Sequence, residues 1–368
     1  MRIAITSRFI YSFFANGLNQ NIVLLYELLE DCGFDVFFLD FTDEKLGLKF
    51  ESHELLEGKK VINWWSFEPK KQHVDILLCP GISANSQMRD ALKAENENCK
   101  ICALHYGNNL ITSIHELFFS KSPKMHCMQE DRHEDFVLYS PHYGFAKEYM
   151  ECNTKSKSIE FPYIWSPKFI ETEARSLNVN PRYTPVARPN IAVVEPCLNI
   201  SKTNLIPLLI IMQTLRERDH CFNEAYIFSS KFKEGFESVS KHLNSKTILA
   251  KHNGRIFFDP REKILKIFER DNPIMLSHQF YNELNYVYLE ALYYDFPLVH
   301  NSNPFKEAGY FYEGFNIKEG ARQVITATEK HNDLIKESRY KNEEIIHRYS
   351  PEQNKRKITS IMERIHND

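Results

Sequence analysis

The stretch SHQFYNELNYVYLEALYYDFPLVHN, residues 277–301, sets the architecture of the chain. An apolar run precedes it, Pro273-Ile274-Met275-Leu276, with the composition of a buried strand. A polar loop follows over 277–285, carrying His278, Gln279, Asn282, Glu283 and Asn285. The spacing then predicts a helix over 286–294, a break at Phe296-Pro297, and a second apolar strand over 298–300. Strand, polar loop, helix, strand is the βαβ unit of a parallel sheet, whose ligands sit at the carboxyl ends of the strands.

The same alternation extends in both directions. Ile191-Ala192-Val193-Val194 is a strand that runs into Glu195-Pro196, and a helix is predicted over 204–216. Between them lie Ser201 and Lys202. A helix start offers free amides and a positive dipole end, so this loop is a candidate diphosphate site. Strands are predicted over 226–228 and 256–258, with helices over 232–243 and 261–270. A glycine-punctuated aromatic segment follows over 309–315, then helices over 320–329 and 351–365.

The N-terminal half opens the same way. Residues 2–6 form a strand, Gly17 allows a turn, and Asn19 or Asn21 can cap a helix over 20–31. Strands are predicted over 35–39, 74–79, 100–105, 136–139 and 158–161, and helices over 86–95 and 141–150. His105 ends its strand and leads into Tyr106-Gly107-Asn108. An imidazole at a strand's carboxyl end titrates near neutrality and can take a proton from a hydroxyl acceptor. The run 130–135 is all charged or His and has no metal-ligand spacing. Residues 174–190 hold three prolines and few apolar side chains, and read as a linker. The division expected is 1–173, linker 174–190, 191–350, and a terminal helix 351–368 that possibly packs back on the first domain.

Composition bounds the function. At 43% hydrophobic and 26% charged, 368 residues suffice for two globular cores. A net charge of −3 shows no basic excess of the kind that neutralises a nucleic-acid backbone. Eight cysteines are present, and Cys99-x-x-Cys102 lacks a second pair, which argues against zinc and against a disulfide framework. A reducing, cytoplasmic setting is expected. The longest apolar run, 205–212, is far short of the ~20 residues that span a bilayer. The first strand opens on no GxGxxG, so nicotinamide chemistry is not indicated.

Leu289-Glu290-Ala291-Leu292 followed by Phe296-Pro297-Leu298-Val299 resembles the donor-sugar motif of GT-B glycosyltransferases. In that motif one Glu opens the loop and a second follows eight positions on. Glu290 matches the second; Asn282 stands where the first would be, with Glu283 the nearest acid. The whole chain resembles an uncharacterised GT-B-like family, through residues 16–21, 105–108, 194–196, 284–286, 300–302 and 309–312. The resemblance implies an α/β fold with two Rossmann-like domains facing a cleft. It implies a nucleotide-sugar (UDP-, GDP- or another NDP-sugar) as co-substrate, no cofactor and no bound metal. Lys202, His278, Asn282, Glu283, Asn285, Tyr286 and Glu290 are the donor-binding candidates. Asn16, Gly17, Gln20, Tyr106 and Asn108 are the acceptor-binding candidates, and His105 and Asn19 the catalytic ones. Three functions stay open: sugar transfer to a saccharide or surface glycan, sugar transfer to a hydroxylated base in DNA, and non-catalytic nucleotide or sugar binding.

Overall fold

The computed structural model describes every residue except 11–16, 44, 46–47, 49, 51–52, 123–133, 155, 196–198 and 229–253. Asn16, the helix expected over 232–243 and most of the charged run 130–135 fall outside the described residues. The chain divides into two compact units, Met1–Ser166 with Arg348–Asp368, and Pro167–His347.

Unit 1 carries seven described strands: β1 Arg2–Ser7, β2 Asp35–Asp40, β3 Val61–Asn63, β4 Ile76–Pro80, β5 Lys100–His105, β6 Phe136–Tyr139 and β7 Lys157–Glu160. All pair in parallel, in the order β3-β2-β1-β4-β5-β6-β7. Parallel strands are covered on both faces, so they read as unbroken apolar runs. Ile76, Leu77, Leu78 and Cys79 are all buried, as are Val36 to Leu39. The described helices are α1 Gly17–Asp31, α2 Ser86–Glu95, α3 Asn109–Phe119 and α4 Lys147–Thr154. The strand order reverses direction between β1 and β4, and there the loops part. Asp40 holds the loop after β1, accepting from Ser7 Oγ at 3.1 Å and from the Phe9 amide at 3.2 Å. Gly81, just past β4, has φ +90°, and a Cβ there would stand 2.8 Å from Leu18 Cδ2.

Unit 2 begins with α5 Lys168–Leu177, so the first four residues of the proline-rich stretch 174–190 are helical. Its strands are β8 Ile191–Val193, β9 Ala225–Phe228, β10 Ile256–Asp259, β11 Ile274–Leu276, β12 Leu298–His300 and β13 Tyr310–Phe311. They too are all parallel, in the order β10-β9-β8-β11-β12-β13. Helices α6 Leu205–Glu217, α7 Ile264–Asp271, α8 Tyr286–Tyr293 and α9 Ile317–Arg348 accompany them. Leu208, Ile211 and Leu215 of α6 are buried in one core with Ile191, Val193 and Ile274 of the sheet.

Helix α10, Pro351–Asn367, belongs to unit 1. It buries Ile358, Ile361, Met362 and Ile365, one stripe at helical spacing. Thr359 Oγ1 reaches Cys32 Sγ at 3.1 Å, just past the end of α1.

Two expectations are corrected. Helix α9 runs far beyond the expected 320–329, because its second half is a sequence of good helix formers with few apolar positions to show a period. Helix α1 starts at Gly17, so Asn19 in its first turn and Asn21 in its second lie inside the helix and are not caps. Both are buried, and Asn21 Nδ2 donates to the Ile164 carbonyl at 3.1 Å.

Candidate active site

In unit 2 the strand order reverses between β8 and β11. An open parallel sheet leaves a crevice at the carboxyl ends of such a pair. Glu195 stands two residues past β8, and Ser277, His278 and Gln279 directly follow β11. All four are buried to within a few per cent of complete.

A buried polar group needs a partner, and the missing ones here are informative. Glu195 Oε1 accepts a short hydrogen bond from Ser277 Oγ, which also meets the Tyr288 hydroxyl at 2.6 Å. Glu195 Oε2 has no partner among the described residues. The Gln279 side chain lies close enough to stabilise that carboxylate without closing a hydrogen bond of good geometry. Burial raises the Glu195 carboxyl above its ordinary range, while Lys202 and Ser277 pull it back. His278 Nε2 is unpartnered among the described residues, and so are both carboxamide atoms of Asn204. Asn204 occupies the cap position of α6 yet makes no capping bond, which leaves its fully buried amide open.

The backbone holds this edge in register. Lys202 forms an antiparallel bridge with Gln279, and the Phe280 amide donates to the Ser201 carbonyl at 3.0 Å. Asn301, at the end of β12, pairs both backbone groups of Gln279 at 2.8 Å. Lys202 is thus fixed beside β11, at the start of α6.

Glu290 lies one turn inside α8 and is buried. Its carboxyl accepts no hydrogen bond among the described residues. Burial, helped by the nearby Glu173 carboxylate, pushes its pKa up to about 8. Asn285 caps the same helix, its Oδ1 accepting from the Val287 amide at 3.3 Å. Glu283 is half-buried, with a raised pKa caused by burial, and its Oε1 accepts from Asn303 Nδ2 at 3.4 Å. Asn282 and Tyr286 flank them, both half-buried.

Unit 1 gathers the remaining candidates on its own carboxyl edge. Gly17, Asn19 and Gln20 form the first turn of α1, with Asn19 Nδ2 buried and unpartnered among the described residues. His105 is the last residue of β5, in register with Tyr139. Tyr106 packs edge-on to Tyr163 at 6.3 Å. Asn108 caps α3, its Oδ1 accepting from the Ile111 amide at 3.1 Å.

Sequence reasoning gave no role to Glu195, Asn204, Ser277, Asn301 or Tyr312, although Glu195, Asn301 and Tyr312 fall in stretches that carry the family resemblance. A carboxylate ending an apolar strand was a further local signal for Glu195. The others depend on partners far along the chain. Among the described residues no cluster of three His, Cys, Asp or Glu could hold a metal, and no described helix is long and apolar enough to cross a membrane.

Solved structures share this architecture. A glycosyltransferase from Rickettsia africae ESF-5 aligns with a TM-score of 0.56 over 99% of this chain and 98% of that one, at 14% identity. An E. coli trehalose-6-phosphate structure bound with UDP-2-fluoro glucose gives 0.61 over 100% and 99%, at 11% identity. A trehalose-6-phosphate synthase studied for glycosyltransfer with retention gives 0.59 over 99% of each chain, at 13% identity. The fold is that of GT-B glycosyltransferases. No curated protein sequence matches the chain. Residues 4–365 match the family described as protein of unknown function (DUF2827), and the chain belongs to that family.

Proposed function

We propose that the protein is a glycosyltransferase, taking a sugar from a nucleotide-sugar held by unit 2 to a hydroxyl acceptor held by unit 1. The observation that carries this reading is the set of buried polar atoms without partners at the β8/β11 switch point. A folded protein tolerates such groups where a polar ligand completes them. Lys202 and the amides at the start of α6 suit a diphosphate, whose charge grows as the leaving group departs. Glu290 suits the two ribose hydroxyls, which a carboxylate accepts as a pair. UDP, GDP or another nucleoside diphosphate meets these requirements equally. That a related fold binds UDP-2-fluoro glucose is consistent with them.

On unit 1, we assign His105 to accept the proton of an acceptor hydroxyl, with Asn19 as the second catalytic candidate. Gly17, Gln20, Tyr106 and Asn108 offer acceptor contacts. A saccharide or surface glycan is the acceptor class we favour. Of the four lysines that a DNA acceptor would need as a basic face, Lys59, Lys60 and Lys71 have partners within the chain. Lys59 pairs with Glu27 at 2.8 Å and Lys71 with Glu68 at 2.7 Å, while Lys60 lies over the Phe37 ring. We place the reaction in the cytoplasm and assign the neutralising role of a metal to Lys202, so chelation should leave activity unchanged.

Asn282 in place of an acid favours one second reading, a nucleotide-sugar-binding module without turnover. Release of nucleoside diphosphate from UDP-glucose, UDP-N-acetylglucosamine and GDP-mannose decides between the two. The transferase releases nucleotide above the buffer rate and loses this in Lys202→Ala. A binding module binds and releases none.

A further inference from the structure

The hydrogen bonds around His278 determine which ring nitrogen carries its proton. Tyr312 has one hydroxyl hydrogen, and its oxygen stands 3.0 Å from the Ser277 carbonyl, which can only accept. That hydrogen is therefore committed to Ser277. The same hydroxyl oxygen stands 3.0 Å from His278 Nδ1, so there the imidazole has to donate. A neutral ring that donates from Nδ1 keeps a bare lone pair at Nε2. His278 Nε2 is buried with no partner among the described residues. Burial keeps the ring neutral, with its pKa lowered to about 4.

A bare lone pair cannot face a phosphate oxygen or a carbonyl, which are acceptors themselves. It calls for an O–H or N–H. The neighbourhood separates these two. The Phe315 ring stands 4.7 Å from His278 and 5.6 Å from Phe280, whose ring lies 4.8 Å from Tyr281. These rings are inclined at 54°, 57° and 68°, so no two of these neighbours stack in parallel and together they form an uneven apolar wall. Phe315 and Tyr281 are 54% and 53% exposed, and they set large apolar area near the buried, unpartnered Nε2.

We propose that His278, locked as the Nδ1–H tautomer by Tyr312, is a specificity residue that accepts a hydrogen bond from a hydroxyl of the donor's sugar ring, with Phe315, Phe280 and Tyr281 walling the ring's C–H face. This rests on unit 2 being the nucleotide-sugar domain. A site built to receive a hydroxyl discriminates strongly against a sugar that lacks it.

The test is long-range proton–nitrogen correlation on the full chain labelled with [15N]histidine, with His278→Phe identifying the resonances. UDP and GDP are titrated first, then UDP-glucose, UDP-galactose, UDP-N-acetylglucosamine and GDP-mannose. The free protein should show the proton on Nδ1. Nε2 should shift with at least one sugar nucleotide and with neither bare nucleotide. In Tyr312→Phe both tautomers should appear, and that sugar nucleotide should bind about three- to tenfold more weakly, one neutral hydrogen bond's worth, with the bare nucleotide unchanged. A proton on Nε2, a full shift with bare nucleotide, or an Nε2 unmoved under every sugar nucleotide that binds overturns the proposal alone. Binding by none of the six compounds, nor by ADP, CDP, dTDP or their glucose conjugates titrated after them, overturns the donor-domain reading and the proposal with it.

Discussion

Nucleotide binding should expel a proton, and Glu290 is the reason. Its carboxyl has a pKa of about 8 in the free protein, raised by burial and by Glu173. At pH 7 it is therefore roughly nine-tenths protonated. A carboxylate receiving two ribose hydroxyls is favoured in its ionised form. Binding should thus release about 0.9 proton at pH 7, and affinity should rise roughly tenfold between pH 6 and pH 7, levelling above pH 8. Calorimetry in buffers of different ionisation enthalpy reads the proton directly. Glu290→Gln should abolish the release. It should also weaken UDP binding by about 2–3 kcal/mol, two charge-assisted bonds less the cost of ionising the acid at pH 7. The same group carries a stability signature without ligand. Its folded pKa lies above the unfolded value, so its contribution is complete below about pH 4.5 and is lost as pH rises through 8. Glu290→Gln should then be the more stable protein at pH 9, by an amount on the order of 5 kcal/mol at most. Binding of UDP with no proton exchanged between pH 6 and pH 8 would refute the assignment of Glu290 to the ribose.

Three further outcomes follow from the same geometry. Lys202→Ala should weaken UDP by roughly 10- to 100-fold, the loss of one charge-assisted contact, and leave uridine unaffected; equal losses for both would put Lys202 away from the diphosphate. Gly309 has φ +63°, and a Cβ there would meet the Leu298 carbonyl oxygen at 2.4 Å. Gly309→Ala should cost roughly 2–4 kcal/mol in urea unfolding, more than Gly81→Ala, whose clash is with the flexible end of Leu18; a smaller loss at 309 than at 81 would contradict this. Asp295 is buried with φ +62° and pairs with Arg182 and, at 2.7 Å, with Arg339. Asp295→Asn, which tolerates that backbone, should unfold less readily than Asp295→Ala, and the reverse order would place the strain elsewhere.

What the sequence disclosed and what it concealed divide on physical lines. Period and composition are local, so β11, the polar loop, α8 and β12 were legible, as was the series of apolar strands on either side. Glu290 stood out because it interrupts an apolar helix. The partners that give the site its character are not local. Glu195 meets Ser277 across 82 positions, and His278 meets Tyr312 across 34. No spacing rule records such pairs. Strand β3 is three residues long, too short to show a period, whereas α3 carries one at Leu110, Ile111, Ile114, Leu117 and Phe118 that the reading of Tyr106 to Asn109 as a loop end passed over. Helix α1 was placed late because buried amides in its first two turns look like caps in a string of letters. Asn108 and Asn285 illustrate the converse: both were singled out as ligand contacts, and both use a carboxamide oxygen to cap a helix.

We propose that unit 2 binds a nucleotide through the buried, unpartnered polar groups at the β8/β11 switch point. Thermal unfolding of the full chain, without metal, against UDP, GDP, ADP and their sugar conjugates tests it most directly. A nucleotide at 100 times its dissociation constant should add about 2.7 kcal/mol to folding, and that shift should shrink sharply in Glu290→Ala and Lys202→Ala. No shift with any of them, or a shift that both variants retain in full, would contradict the account.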